Sequence, residues 1–342
     1  MASNGRQYSV AVIGATGAVG KVFLDIMEKR PFPLKELRLL ASARSAGTRI
    51  RFRGEDITVE ETTPRAIGGA DFVFISATDE ISKEYAPIAA EAGAVAIDDS
   101  GVWRMDPDVP LIVPEVNAAD LAPGKRIVAI PNCSTTPLVM ALAALQPVNP
   151  VRRVVVSTYQ SVSGTGAAAM RELTEQSRQA LDGATDIPGD VYPHQIAFNL
   201  LPHIGSFREE GYTSEEWKMV RETRKIMRLP DLPVVSTTVR VPVYICHSES
   251  VNLELSEPIE PARARELFAA FPGLEVVDDP ATNAYPHPVL GANQDPVYVG
   301  RIRRDISHPA GLALWLVSDN LRKGAALNAI QIAETMIAKD LV

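Results

Sequence analysis

Tyr8-Ser9-Val10-Ala11-Val12-Ile13-Gly14-Ala15-Thr16-Gly17-Ala18-Val19-Gly20 runs from an apolar strand pattern, through a glycine turn, into a helical pattern over residues 19–28. In that context glycine lets the backbone turn tightly, and the amides at the start of the helix face outward to hold a pyrophosphate. A plain glycine turn is the competing reading of the letters. The strand before and the helix after favour a dinucleotide loop formed by Gly14, Thr16, Gly17, Ala18 and Val19. Further on, apolar runs at residues 37–40, 72–76, 94–98 and 127–130 alternate with a helical pattern at 82–91. This βαβ rhythm predicts an α/β unit with a doubly wound, Rossmann-type parallel sheet.

From residue 151 the runs lengthen and alternate, at 153–160, 234–245 and 251–254, with a helical pattern at 262–270. They predict a second, α+β unit with a mixed or largely antiparallel sheet. A Pro-, Gly- and charge-rich region at 186–231 holds a helical pattern at 214–227, opened by the capping sequence Thr213-Ser214-Glu215-Glu216, and reads as an inserted subdomain. The apolar helical spacing of residues 320–338 predicts a return to the first unit. The expected division is therefore 1–132 with 320–342, and 133–319.

The chain has 342 residues, 46% hydrophobic and 22% charged, which suits two globular domains. No apolar stretch approaches the roughly twenty residues of a membrane span. The first six residues show no signal or transit pattern, so the expected location is the cytoplasm. A net charge of −8 argues against a nucleic-acid binder with a broad basic face. The two cysteines, Cys133 and Cys246, make no disulfide framework and have no histidines at zinc-ligand spacing, so no metal site is expected.

After the second strand pattern the chain reads Ala41-Ser42-Ala43-Arg44-Ser45-Ala46-Gly47. An NAD site commonly has an acidic residue here. Ser42, Arg44 and Ser45 instead offer a guanidinium and hydroxyls for a 2′-phosphate, so NADP is the expected cofactor. Arg44 as a solvated surface arginine is the alternative. Cys133, in Pro131-Asn132-Cys133-Ser134-Thr135, lies between a strand pattern and a helix start. Unpaired amides and the helix dipole favour a thiolate there and can stabilise an oxyanion beside it. A buried structural cysteine is the competing reading. A nucleophilic thiolate in a dinucleotide enzyme points to aldehyde or acyl chemistry, because a thioester separates acyl transfer from hydride transfer.

These segments resemble one family nearly end to end. The set comprises residues 14–20 and 41–47, Pro131-Asn132-Cys133-Ser134-Thr135, Ser157-Thr158-Tyr159-Gln160, residues 193–199, Arg240-Val241-Pro242-Val243, His247-Ser248-Glu249 and residues 320–325. In that order it resembles aspartate-semialdehyde dehydrogenase, closest to the bacterial type. The resemblance implies an NADPH-dependent reduction of L-aspartyl 4-phosphate to L-aspartate 4-semialdehyde, in the biosynthesis of lysine, threonine, methionine and diaminopimelate. It also implies a catalytic and dimerisation domain after the NADP-binding domain, and a homodimer or homotetramer. It assigns Cys133 as nucleophile, His247 as acid/base and Gln160 as the group orienting the intermediate. Arg240 would clamp the α-carboxylate and Glu215 would meet the ammonium. Lys218 and Arg104 would hold phosphate, and Asn132 would sit beside the nucleophile. Ser163, Gly164 and Asn320 would line the cofactor. The residue types agree: a planar guanidinium suits a carboxylate, and an imidazole titrating near neutrality suits proton transfer. Taken alone, Glu215 and Lys218 read as a solvated i, i+3 pair. The remaining histidines, His194, His203, His287 and His308, read as structural.

Asp79, Asp99 and Cys246 stand where the family pattern has other residues. Asp79 would weaken cofactor binding if it faced the phosphates. The rival enzyme reading is N-acetyl-γ-glutamyl-phosphate reductase, which needs no partner for a free ammonium, and Glu215 argues against it. A catalytically silent NADP-binding regulatory protein is a rival of another class, against which Cys133 and His247 both stand.

Overall fold

A computed structural model describes residues 5–342, and the reading of the first four residues lies outside it. It divides into two compact units, residues 1–132 with 325–342, and residues 133–324. Among the described residues, no helix is long and apolar enough to cross a membrane.

The first unit is built on β1 (Tyr8–Ile13), all six residues of which are buried. Its run leads into α1 (Ala18–Lys29), which buries Phe23, Leu24, Ile26 and Met27 along one stripe. Next come β2 (Leu34–Ala41), the hairpin β3 (Arg49–Phe52) and β4 (Glu55–Thr58), the short β5 (Glu60–Glu61) and one helical turn, α2 (Pro64–Ile67). Then follow β6 (Phe72–Ile75), α3 (Asp79–Glu91), β7 (Val95–Asp98), a second single turn, α4 (Pro114–Asn117), and β8 (Ile127–Ala129). The parallel sheet has the order β5-β2-β1-β6-β7-β8, so the winding reverses at β1. Strands covered on both faces read as unbroken apolar runs, which is why residues 72–75 and 95–98 are wholly buried. The β3–β4 hairpin turns on Arg53 and Gly54, both at positive φ, the geometry of a type I′ turn.

The second unit opens with α5 (Thr135–Leu145), buried all round except at Ala143. It continues with β9 (Val151–Gln160), α6 (Ala167–Leu181), α7 (Ser214–Met227), β10 (Val234–Arg240), β11 (His247–Leu255), α8 (Pro261–Ala270), β12 (Leu274–Val276), the turn α9 (Pro288–Gly291), β13 (Val297–Arg304) and β14 (Gly311–Ser318). The last helix, α10 (Leu327–Ala338), belongs to the first unit, where Glu334 takes both arms of the Arg30 guanidinium at 2.8 and 2.7 Å and Asn328 donates to the Ile112 carbonyl.

The second sheet is mixed, in the order β10-β9-β11-β14-β13-β12, with parallel pairs only at its two edges. Residues 186–231 form no separate subdomain. Glu172 and Gln176 of α6 receive the backbone amides of Asp190, Val191, Ile196 and Ala197. The α7 helix starts at the capping box, in which Thr213 and Glu216 satisfy each other's backbone amides. Nor does a strand run over 234–245. It ends at Arg240 because Pro242 has no amide to donate, and the carbonyls of Val243 and Tyr244 turn aside to accept from Val162 and Ser163.

Gly14 has φ +89°, and a Cβ placed on it would lie 2.1 Å from the Ser76 carbonyl oxygen at the end of β6. Gly14→Ala therefore has both a disfavoured backbone and a collision with main chain. We expect a loss of more than about 2 kcal/mol. This appears as a drop in thermal midpoint of roughly 5 °C or more; an unchanged midpoint would refute the close approach.

Candidate active site

In the second unit, Arg240, Gln160 and His247 end three adjacent strands. Arg240 of β10 is opposite Gln160 of β9, Ser248 of β11 is opposite Tyr159, and His247 is opposite Ser318 of β14. Side chains alternate across a strand, so these three share a face, and all are buried. The turn after β9 ties them together. The Ser161 backbone N–H donates to His247 Nδ1 at 3.0 Å, and Arg240 Nη1 donates to the Ser161 carbonyl at 2.7 Å. Gly164 closes the group: a Cβ there would lie 3.2 Å from Arg240 Nη1 and 3.4 Å from His247 Nε2.

This settles the imidazole tautomer. A backbone amide can only donate, so Nδ1 is an acceptor and the neutral ring carries its proton on Nε2. Nε2 has no hydrogen-bond partner among the described residues. Burial, reinforced by Arg240, pushes the His247 pKa down to about 3, against opposing effects of Glu215 and the Cys246 backbone. The ring is therefore neutral at physiological pH.

Gln160 is held at both ends of its amide. Thr158 Oγ1 donates to its oxygen at 3.1 Å, and its nitrogen donates to Glu215 Oε1 at 3.0 Å. Glu215 Oε2 receives Lys218 Nζ at 3.1 Å. The i, i+3 pair thus forms, but its carboxylate is buried against Gln160 and is not a solvated surface group. The Arg240 guanidinium lies 5.9 Å from the Tyr192 ring centroid, and its Nε has no hydrogen-bond partner among the described residues. The planar fork therefore keeps a donor for an incoming carboxylate.

Cys133 is half-buried, two residues before α5 begins. The backbone of Gly324 lies against it: a Cβ on Gly324 would come within 2.8 Å of Cys133 Cβ. Only a residue without a side chain leaves the nucleophile candidate its place. Cys246 is fully buried, its thiol pushed up by burial and by Asp319, and it sits at φ +76°, which costs a non-glycine residue about 1–3 kcal/mol.

In the first unit the glycine loop has the form a dinucleotide requires. Gly17 caps α1, and a Cβ on Gly20 would lie 2.4 Å from the Gly14 carbonyl, so the loop is folded tightly on itself. Ser42 and Arg44 are exposed and Ser45 is half-buried, in a short turn after β2. A pyrophosphate at the α1 N-terminus and a 2′-phosphate at that turn fit this chemistry. Asp79 accepts the Gly101 backbone amide at 3.1 Å, and Asp99 accepts from Ser76 and lies 3.8 Å from Arg104. The two carboxylates brace the loop that carries Arg104, which is itself buried and donates to the Asp99 carbonyl at 2.8 Å. Asn132 is buried and is the last residue of this stretch of the unit. Of the other histidines, His203 stacks on Phe207, and His287 and His308 accept backbone amides in turns, while His194 is exposed.

Reading from sequence missed Ser161, Tyr192 and Thr158 as site components. It also missed Glu249, which alternation along β11 puts on the face of His247. Glu249 is fully buried, and neither carboxylate oxygen has a hydrogen-bond partner among the described residues.

Two family profiles match: "Semialdehyde dehydrogenase, NAD binding domain" over residues 9–123 and "Semialdehyde dehydrogenase, dimerisation domain" over residues 142–323. The chain is 48% identical to the aspartate-semialdehyde dehydrogenase of Aquifex aeolicus, covering 98% of this chain and 99% of the relative. It is 44% identical to that of Bacillus subtilis, covering 99% and 100%. Among solved structures it is similar to Vibrio cholerae aspartate semialdehyde dehydrogenase II complexed with ASA, at a TM-score of 0.92 and 41% identity over 97% of this chain and 99% of the other.

Burial holds the Glu249 carboxyl well above its ordinary value of 4.5. The unfolded chain ionises this group near that value while the folded chain keeps it neutral, so stability is lost as pH rises from there toward the folded pKa. Glu249→Gln removes the ionisation. The stability difference between variant and wild type should therefore grow in favour of the variant above about pH 4.5, by about 1.4 kcal/mol for each pH unit climbed toward the folded pKa. Thermal midpoints measured across that range follow it, and a difference that stays constant with pH would exclude a neutral Glu249.

Proposed function

The chain belongs to the aspartate-semialdehyde dehydrogenase family of NADP-dependent oxidoreductases, and from that membership we propose how its residues divide the reaction. The observation that carries the reading is the Ser161 backbone, which holds an arginine fork and a neutral Nε2–H imidazole on one buried face.

In the biosynthetic direction Arg240 takes the α-carboxylate of L-aspartyl 4-phosphate, Glu215 its ammonium, and Arg104 and Lys218 its phosphate. Asn132 lies next to the nucleophile in the chain and helps seat the acyl group. The Cys133 thiolate attacks the acyl carbon, the bond to the phosphate oxygen breaks, and inorganic phosphate leaves a thioester. Gln160, fixed by Thr158 and Glu215, orients that thioester. NADPH, when bound, supplies the hydride that reduces the thioester carbon. His247 then gives its Nε2 proton to the thiohemiacetal oxygen and takes it back as the C–S bond breaks, so that L-aspartate 4-semialdehyde and the thiolate are released. Negative charge developing on that oxygen opposes the burial that depresses the ring.

Gly14, Thr16, Gly17, Ala18 and Val19 hold the pyrophosphate of NADP, and Ser42, Arg44 and Ser45 its 2′-phosphate. Ser163, Gly164 and Asn320 serve the nicotinamide end. Residues 1–132 with 320–342 act as the NADP-binding domain and 133–319 as the catalytic and dimerisation domain, working in a cytoplasmic homodimer or homotetramer. The product feeds the synthesis of lysine, threonine, methionine and diaminopimelate. The buried carboxylate of Glu215 favours a substrate with a free ammonium over an acetylated one.

The test follows NADPH formation from L-aspartate 4-semialdehyde and phosphate. Cys133→Ala should lower turnover by roughly four orders of magnitude or more while NADPH still binds, and substantial residual turnover would rule out the covalent route. Arg240→Lys removes the planar fork, so KM for the semialdehyde should rise about tenfold or more, whereas an unchanged KM would contradict the carboxylate assignment.

A further inference from the structure

Asn320 lies two residues beyond β14 and is buried. Its Oδ1 accepts the Cys246 backbone amide at 3.0 Å and lies 3.1 Å from Ser161 Oγ. Its Nδ2 lies 3.0 Å from Ser163 Oγ. These contacts join the three chain segments that frame the imidazole: the residue before His247, the turn that holds its Nδ1, and the end of the strand paired with β11.

Two details show that this junction acts on the ring. Cys246 is at φ +76°, a conformation a side chain resists, and its amide is turned onto Asn320 while its sulfur packs toward Gly291. The start of β11 is therefore held by Asn320 in a shape it would not take alone. Ser161 Oγ lies 3.2 Å from His247 Nδ1 as well as 3.1 Å from Asn320 Oδ1. The single lone pair of Nδ1 is taken by the Ser161 N–H, so the hydroxyl proton turns away from the ring, toward Asn320 Oδ1 or Ser163 Oγ at 3.1 Å each, and Ser163 Oγ is itself held by Asn320 Nδ2. With that link cut, the hydroxyl is free to turn and compete at Nδ1, and the serine backbone is free to move away.

We infer that Asn320 is a positioning residue for the acid/base step: through the Cys246 amide and the Ser161 hydroxyl it holds the His247 ring with Nε2–H presented to the reacting oxygen. The inference rests on the role given to His247 above. It is separate from contact with the cofactor, which the family resemblance assigns to the same residue, and the two can be told apart.

The experiment uses full-length enzyme with ¹⁵N-labelled histidine, in which His247→Asn identifies the His247 signals. The wild-type ring should show a protonated Nε2 and an unprotonated Nδ1. In Asn320→Ala the two nitrogens should move toward each other as both tautomers populate, kcat at saturating cofactor should fall about tenfold or more, and KM for the semialdehyde should change less than about threefold. Ser161→Ala cuts only the hydroxyl link, is read in the same way, and carries the test if Asn320→Ala does not fold. The double variant should lose little more in kcat than the worse single one, because both cut one linkage. A His247 signature that stays sharp and Nε2-protonated in both single variants, or a loss confined to NADPH affinity, would overturn the inference. The ring signature is measured without turnover, so an enzyme inactive on the semialdehyde would count against the proposed reaction and leave this result readable.

Discussion

The two backbone groups of Ser161 carry more of this molecule than any side chain. Its N–H fixes the proton of His247, and its carbonyl fixes the direction of Arg240. Both groups belong to one residue, so the imidazole and the guanidinium are tied to the same Cα and share its position. The turn is held from behind by the Val243 and Tyr244 carbonyls and by Asn320, which explains why the strand entering at Val234 stops at Arg240. If the chain continued as a strand, those carbonyls would enter a ladder and the turn would lose its anchors.

The first unit uses carboxylates in a comparable way. Asp79 and Asp99 stand where a nucleotide-binding surface would be expected to avoid negative charge, yet each is committed to the chain itself, one to an amide and one to a hydroxyl and an arginine. Charge that is already paired projects little field outward. The departures from the family pattern thus brace Arg104 and need not repel the cofactor.

The parts legible in the sequence were those encoded within one short segment. The glycine loop could be read because strand, turn and helix follow one another without interruption, and Cys133 because it lies between a strand and a helix. The capping box at Thr213 was legible for the same reason. What depended on register across distant strands was not legible: nothing in the sequence alone says that Arg240, Gln160 and His247 end side by side. Residues 311–318 are a nearly unbroken apolar run, and periodicity cannot tell a buried strand from a buried helix. The β3–β4 turn was hidden because Arg53 fills a position where asparagine or glycine would announce positive φ. Glu249 lies before the strand pattern read at 251–254, so period two assigned it no face, although β11 begins at His247.

That carboxyl has an effect visible outside the folded chain. A group that keeps its hydrogen ion in the native interior and surrenders it in water makes denaturation an acid-releasing event at any pH between about 4.5 and its raised native value. The heat taken up on melting then includes the ionisation heat of whatever buffer accepts that ion. The same protein melted in phosphate and in an amine buffer would show two apparent enthalpies, although its native contacts are identical in both.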